Sequence, residues 1–492
     1  MTELLLGIDI GTASSKGVVC TPSGEIVARA TRPHRVSLPR PGWLEHDALD
    51  AWWGGVRALC RELLPGRAAS LSGVAISGIG PCVVPCDAAG EPLRPAILYG
   101  SDTRSEAEVV ELTKLLGDET IRARCGSSLS TQALGPKLLW LRRHEPEVWA
   151  ATHRWHMASS FAVERLTGAW ALDHHSASQC DPLYDLERAA WIEEWCDEIV
   201  GELAVPPLSW PAEVVGIVHR KGADATGIPE GTPVVAGTID AWAEALSAGV
   251  RARGDAMVMY GSTMFFIAVA EARTTAPGIW TTAGIDPGTR TLAAGTATSG
   301  SITTWLAELV GRGHDELLIR AGQVAAGSEG LLLLPFFAGE RTPVPDPRAR
   351  GVLAGLTLRH GPEHLYRAVL EGTAYGARRN LEALGVDNDT RLVAVGGGAG
   401  AELWPQIVSD VTGLSQLIPE ETIGAAYGDA LLAAEGVGLA PSGHTWARPA
   451  QILDPDPAVR PRYDELYGAW LALAETTASA QHLLAAVQQD AP

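Results

Sequence analysis

Lysine is scarce in this chain. Of 492 residues only Lys16, Lys114, Lys137 and Lys221 carry an ammonium group, and the other basic side chains are arginine. We read the scarcity as coding bias, and it lends some weight to a lysine placed in a loop of special composition. Positive charge is outnumbered overall, with 38 Lys and Arg against 58 Asp and Glu and a formal net charge of −20. That balance argues against a nucleic-acid partner. No run of about 18 apolar residues occurs, so no membrane span is expected. The N-terminus lacks a basic segment leading into an apolar core and a small-residue cleavage site, and the expected compartment is the cytoplasm. Seven cysteines fall within the first 200 residues, an odd number without a CxxC pair. They do not suggest a disulfide framework, and Cys82 and Cys86 have no second pair to complete a metal site. Buried thiols are expected instead.

A chain of this length suggests two domains of roughly 200–250 residues each. Strand-like segments alternate with helix-like ones, which indicates an α/β class. In "LLLGIDIGTASSKG" (4–17), an apolar run reads as a strand buried on both faces, yet it contains Asp9. A surface hairpin with its Asp at a strand end would account for the letters. So would a phosphate and metal corner, in which Gly11 and Gly17 bend the backbone and Thr12, Ser14 and Ser15 offer hydroxyls and amides. Lys16 would supply charge there, and Asp9 would face a divalent ion. The loop is not a Walker A motif, because Ser15 stands where glycine should precede the lysine and a second strand follows in place of a helix.

The same plan returns about 250 residues later in "GDAMVMYGSTMFFIAVAEA" (254–272), strand, Gly-Ser-Thr turn, strand. An internal duplication places a domain boundary near residues 244 to 254. Between the two hairpins, "TPVVAGTIDAWAEALSAG" (232–249) passes from strand to helix with Asp240 at the junction. "SDTRSEAEVVELTKLLG" (101–117) has helical spacing with an Asp near its start as a cap. "PKLLWLRRHEPEVWAAT" (136–152) reads as an amphipathic helix interrupted at Pro146. "LVAVGGGAGAELWPQIVSDVTG" (392–413) is a strand, three glycines and a helix, a turn open to a phosphate or a flat ligand. "GVLAGLTLRHGPEHLYRAVLEGTAYGARRNLEAL" (351–384) sets a short strand before a long helix that is mostly packing surface.

Taken in order, these segments resemble the FGGY carbohydrate kinases, within the larger group that shares the actin-like ATPase fold. "GIDIGTASSKG" is similar to the family's first phosphate hairpin, "AGTIDAWAEA" to its catalytic-Asp segment and "YGSTMFF" to its second phosphate hairpin. "VGGGAGAELWPQIVSDVTG" is similar to its adenosine motif. Gly351, Gly355-Leu356, His364-Leu365, Ala368 and Glu371 match its C-terminal signature at every spacing. "PAILYGSDTR" and "LPFFAGERTP" (334–343) resemble the xylulokinase branch more than the glycerol kinases.

The resemblance implies two similar actin-like (ribonuclease-H-like) domains around a deep cleft, residues 1–247 and 248–492. The first would hold the sugar site and the catalytic Asp, the second the adenosine motif. ATP and Mg²⁺ are the implied cofactors. Asp240 would be the general base, Asp9 would hold Mg²⁺ through water, and Thr12, Ser14, Ser15 and Lys16 would meet the β- and γ-phosphates. Gly261, Ser262 and Thr263 would lie opposite, with Gly300, Thr304, Gly397, Gly398 and Ala401 also at the nucleotide. The expected acceptor is a small sugar, D-xylulose first, with a homodimer left open as the assembly.

Departures bear on the sugar. Xylulokinases commonly carry Met-His, and glycerol kinases Arg-Glu, where this chain has Gly80 and Pro81, which offer no side-chain hydrogen bond. The segment after Tyr99 is one residue longer than the common form, which nominates Asp102 and Arg104, beside Asp240, as acceptor contacts. Leu134 stands where a small hydroxylated residue or Pro is usual. Ribulose, a tetritol, glycerol or a sugar acid therefore stay open as acceptors. An actin-like nucleotide-binding regulator without an acceptor is the alternative from another class, and Asp240 argues against it.

Overall fold

The first strand, β1 (Leu4–Ile10), is buried along its whole length. It pairs antiparallel with β2 (Ser14–Cys20), which turns back into the more exposed β3 (Ile26–Pro33). On its other side β1 runs parallel to β4 (Leu71–Gly78). With β5 (Val214–Ile217) and β6 (Pro233–Val235) these make a six-stranded sheet of order β5-β6-β4-β1-β2-β3. This computed structural model describes residues 3–272, 274, 278–420 and 424–489.

The chain divides into two compact units that are not consecutive halves. The first comprises Met1–Arg251, Thr281–Arg290 and Ile423–Ala447, and the second Ala252–Trp280, Thr291–Thr422 and Arg448–Pro492. The helix Ala425–Gly436, late in the sequence, thus belongs to the first unit. It lies hard against β1, where a Cβ on Gly7 would fall 2.0 Å from the Ala426 carbonyl oxygen and 2.5 Å from the Ala430 nitrogen. It also crosses the helix Asp240–Ser247 just as closely, since a Cβ on Gly428 would sit 2.0 Å from the Ala243 oxygen. Only glycine permits contacts of this kind between backbones.

The second unit repeats the hairpin-and-parallel-strand plan. Strand β7 (Asp255–Tyr260) pairs antiparallel with β8 (Met264–Ala270) and parallel with β9 (Arg391–Val395). The sheet continues through β10 (Gln416–Pro419) to β11 (Pro449–Leu453). The helix Pro362–Ala383 is buried through most of its length, in keeping with its reading as packing surface. Glu371, part of the C-terminal signature, is buried within it. It accepts from the Gly327 amide at 2.9 Å, Ser328 Oγ at 2.6 Å, Arg367 Nε at 2.8 Å and Tyr463 Oη at 2.9 Å. Its part in the signature is therefore architectural.

Two local expectations are settled in detail. The break at Pro146 is real, with helices Leu134–His144 and Pro146–Ala151 on either side. The helix expected over 101–117 starts at Glu106, and Asp102 does not cap it, being engaged elsewhere. All seven cysteines are buried free thiols.

Replacing Gly428 by Ala should lower stability by roughly 1–3 kcal/mol, since the methyl group meets rigid backbone. Gly468→Ala, where no atom lies within 4 Å of the added carbon, should leave stability unchanged or raise it by up to about 1 kcal/mol. Urea unfolding midpoints of both variants check the contrast, and equal midpoints would contradict the packing described.

Candidate functional site

The β-sheet register of the first unit gathers the charged residues. Asp9 on β1 is the cross-strand partner of Lys16 on β2 and the parallel neighbour of Ser77 on β4. Side chains alternate along a strand, so Lys16 and Ser14 share one face of β2 and Ser15 takes the other. The hydroxyl of Ser15 is buried there and packs against Gly55 in the helix Gly55–Leu63, where a Cβ would lie 2.7 Å from Ser15 Oγ. Of the hydroxyls expected at the phosphates, those of Thr12 and Ser14 are accessible and that of Ser15 is not. Ser15 can serve only through its backbone.

The turn between β1 and β2 is braced from below by groups that sequence reasoning did not find. Trp52 Nε1 donates to His46 Nδ1 at 3.0 Å, so His46 Nε2 carries the proton and donates to the Thr12 carbonyl at 3.1 Å. Burial, assisted by neighbouring His34, pushes the His46 pKa down to about 4. The ring is therefore neutral through the physiological range, and the brace does not titrate there.

Asp240 comes to the same region from the far side of β4. The Gly78 amide donates to the Thr238 carbonyl at 3.1 Å, and the Ile79 amide to that of Ile10 at 2.7 Å. The segment before Asp240 is thereby aligned with the ends of β1 and β4. Thr238 Oγ1 donates to buried Asp173 at 3.0 Å and fixes the approach. Asp240 then opens its helix and accepts from the Ala241 amide at 2.8 Å.

Carboxylates here outnumber cations. Burial raises Asp9 well above the ordinary range; the charges of Asp240 and Glu244 raise it further, and Lys16 opposes them. Asp240 is raised to about 6, by burial first and then by Glu244, against the Ala241 hydrogen bond and Lys16. Glu244, one turn beyond Asp240, is also raised by burial and drawn down by Lys16. It was legible as the i+4 neighbour in "DAWAE". Asp429, on the Ala425 helix, is wholly buried and accepts from Ser77 Oγ at 2.7 Å.

Oδ1 of Asp9 is buried without a protein hydrogen-bond partner. An orphaned carboxylate oxygen among excess negative charge suits a hydrated dication, which supplies both charge and donors. Among the described residues no three His, Cys, Asp or Glu side chains are grouped to bind a metal directly. Contact through metal-bound water is what this donor set fits.

The acceptor-side expectations fare unevenly. Gly80 and Pro81 are buried, and a Cβ on Gly80 would meet Ile239 at 2.8 Å, so this wall beside Asp240 is apolar. Asp102 and Arg104 are engaged with each other in place of presenting free polar edges. Asp102 accepts from the Leu44 amide at 2.7 Å and from Arg104 Nη2 at 2.8 Å. Arg104 donates to Glu45 at 2.9 Å and lies over the Trp43 ring at 4.0 Å, and neither the Asp102 nor the Arg104 side chain is exposed. Their surroundings favour a structural role over acceptor contact.

In the second unit the expected nucleotide residues cluster at one end of the sheet. The Gly300, Ser299 and Ser301 amides donate to the carbonyls of Gly261 and Ser262 at 3.0, 2.9 and 3.1 Å. The exposed Gly261-Ser262-Thr263 turn is thus tied to the N-terminus of the helix Gly300–Val310, on whose next turn Thr304 is exposed. A Cβ on Gly398 would meet Tyr260 and Trp404 at 2.9 and 2.8 Å, so the 397–401 loop lies against the end of β7. Gly397 is open and Ala401 half-buried.

Truncating Asp102 to Ala should cost about 3–5 kcal/mol of stability, because Arg104 stays buried without its main partner. Chemical unfolding of the variant measures this, and an unchanged midpoint would contradict the structural role.

Comparison with known proteins agrees with this layout. A family model described as the FGGY family of carbohydrate kinases, N-terminal domain, matches residues 4–247, and its C-terminal counterpart matches residues 256–436. The xylulose kinase of Escherichia coli (strain K12) is 32% identical over 447 residues, 87% of this chain and 89% of that protein. The crystal structure of xylulose kinase from Rhodospirillum rubrum superposes with a TM-score of 0.90 at 32% identity, covering 98% of this chain and all of that one. A glycerol kinase from Alkalilimnicola ehrlichii is 29% identical over 461 residues, 89% of this chain and 91% of that protein. With both domain models matched across most of its length, the two-unit α/β chain belongs to the FGGY family of carbohydrate kinases.

Proposed function

We propose that this sugar kinase transfers the γ-phosphoryl group of ATP to D-xylulose, giving xylulose 5-phosphate, with Asp240 as the general base. The observation that carries the role of Asp240 is its placement. It sits at a helix start held by strand-end hydrogen bonds, beside Lys16 and Asp9, with a carboxyl poised near neutrality. The choice of sugar is supported by the xylulose kinases among its relatives.

In the reaction, the acceptor hydroxyl oxygen forms a bond to the γ-phosphorus as the bond from that phosphorus to the β-bridging oxygen breaks. The hydroxyl proton passes to Asp240 and ADP leaves. Asp240 orients the hydroxyl as well as accepting its proton. Lys16, with the Thr12 and Ser14 hydroxyls, would meet phosphate oxygens from the first unit. Gly261, Ser262, Thr263, Gly300, Thr304, Gly397, Gly398 and Ala401 are the proposed nucleotide contacts of the second. Asp9 would hold Mg²⁺ through bound water, and the ion supplies charge neutralisation to the transferring phosphate.

A second acceptor class is favoured by one observation. The wall formed by Gly80 and Pro81 lacks the polar side chains with which xylulokinases and glycerol kinases meet their acceptors. A polyol or sugar acid with a different hydroxyl pattern is the alternative.

Asp240→Asn should leave ATP binding nearly intact and lower kcat by about 100-fold or more. With wild-type enzyme, kcat should fall as pH drops through about 6, where Asp240 takes up a proton and can no longer serve as base. Steady-state kinetics between pH 5 and 8 check both. Near-normal turnover in the Asn variant, or an acid limb that survives it, would remove Asp240 from this role.

A further inference from the structure

Asp429 is a buried carboxylate to which the proposed mechanism gives no work. The Ala425 helix, pressed onto β1 at Gly7, carries it over Ser77, which is the register neighbour of Asp9. Ser77 Oγ donates to Asp429 Oδ2 at 2.7 Å. Oδ1 of Asp429 is buried and has no protein partner, just as Oδ1 of Asp9 has none. Burial makes ionisation of Asp429 unfavourable and the charges of Asp9 and Asp240 add to it, while Ser77 opposes them through its hydroxyl and its backbone. Helix packing does not call for an acid here, since the flanking residues are Gly428 and Ala430, both small. Two buried carboxylate oxygens without donors are expensive unless something outside the chain serves them.

We propose that Asp429 is a second carboxylate toward the magnesium ion, a positioning residue whose Oδ1 joins Asp9 Oδ1 in accepting from the ion's bound water. This rests on the role assigned to Asp9 above. Anchored by Ser77, Asp429 adds a fixed acceptor to a cation that keeps most of its hydration shell. Removing an outer partner of this kind typically weakens metal binding by roughly 10–100-fold.

The test is binding of Mn²⁺, as a spin-active substitute for Mg²⁺, to enzyme saturated with a non-hydrolysable ATP analogue, followed by electron paramagnetic resonance. Asp429→Asn keeps an acceptor for Ser77 and loses the charge. It should weaken Mn²⁺ binding by about 10-fold or more, while affinity for the analogue in the presence of EDTA stays at the wild-type value. Asp9→Asn serves as the reference. If it weakens Mn²⁺ and Asp429→Asn does not, the proposal fails and the role of Asp9 stands. If neither variant weakens Mn²⁺, the role of Asp9 falls and the proposal with it. A loss of analogue affinity in EDTA equal to the loss of Mn²⁺ affinity would make Asp429 structural and overturn the proposal. Should Asp429→Ala not fold, the Asn variant still decides.

Discussion

One ammonium group serves three acidic side chains in the first unit. Lys16 acts on Asp9, Asp240 and Glu244, and all three are raised above their ordinary range because burial outweighs what one cation returns. Such an arrangement is unfavourable for the isolated chain. Under the proposed function, a dication and a polyphosphate would meet fixed acceptors and donors here. Much of the first unit secures this imbalance. The close helix contacts at Gly7 and Gly428 leave little room for the acids to retreat, and the neutral His46 holds the hairpin turn without adding charge.

The second unit uses the same topology for a different purpose. Its hairpin turn carries no acid in register with a lysine, and offers the backbone of Gly261 and Ser262, tied to the first turn of the Gly300 helix. The Ser299, Gly300 and Ser301 amides are spent on the Gly261 and Ser262 carbonyls, and the accessible backbone of this unit is the exposed turn itself and the open Gly397. The first unit is thus rich in buried side-chain charge, and the second presents exposed backbone at the corresponding turn.

Much of this was legible in the sequence because it is local. Buried β1 with its lone Asp9, the repeated hairpin, Asp240 at a strand-to-helix junction and the glycine turn at 397–398 all follow from short-range pattern. What escaped depends on partners far apart in the chain. Ser77 and Asp429 are joined across 352 residues, and "AAYGDALLAA" by itself reads as one more buried helix. The assignment of that helix to the first unit was equally hidden. Asp102 and Arg104 looked like polar candidates in an unusual loop, and only the tertiary structure surrounds them with Glu45, Trp43 and the Leu44 amide. The period of two along a strand sends the Ser15 hydroxyl away from Lys16, so only its backbone faces the role expected of it.

Gly80 and Pro81 form a buried apolar stretch against Ile239, next to Asp240, and acceptor choice is the most direct test of the account. The measurement is ADP formation by purified protein with saturating Mg-ATP against D-xylulose, ribulose, tetritols, glycerol and sugar acids, with phosphorus NMR of each product. The account predicts acceptor-dependent turnover with the highest kcat/KM for D-xylulose and a phosphate ester at its C5 oxygen. A higher kcat/KM for another acceptor, or ADP formation indifferent to any of them, would contradict it.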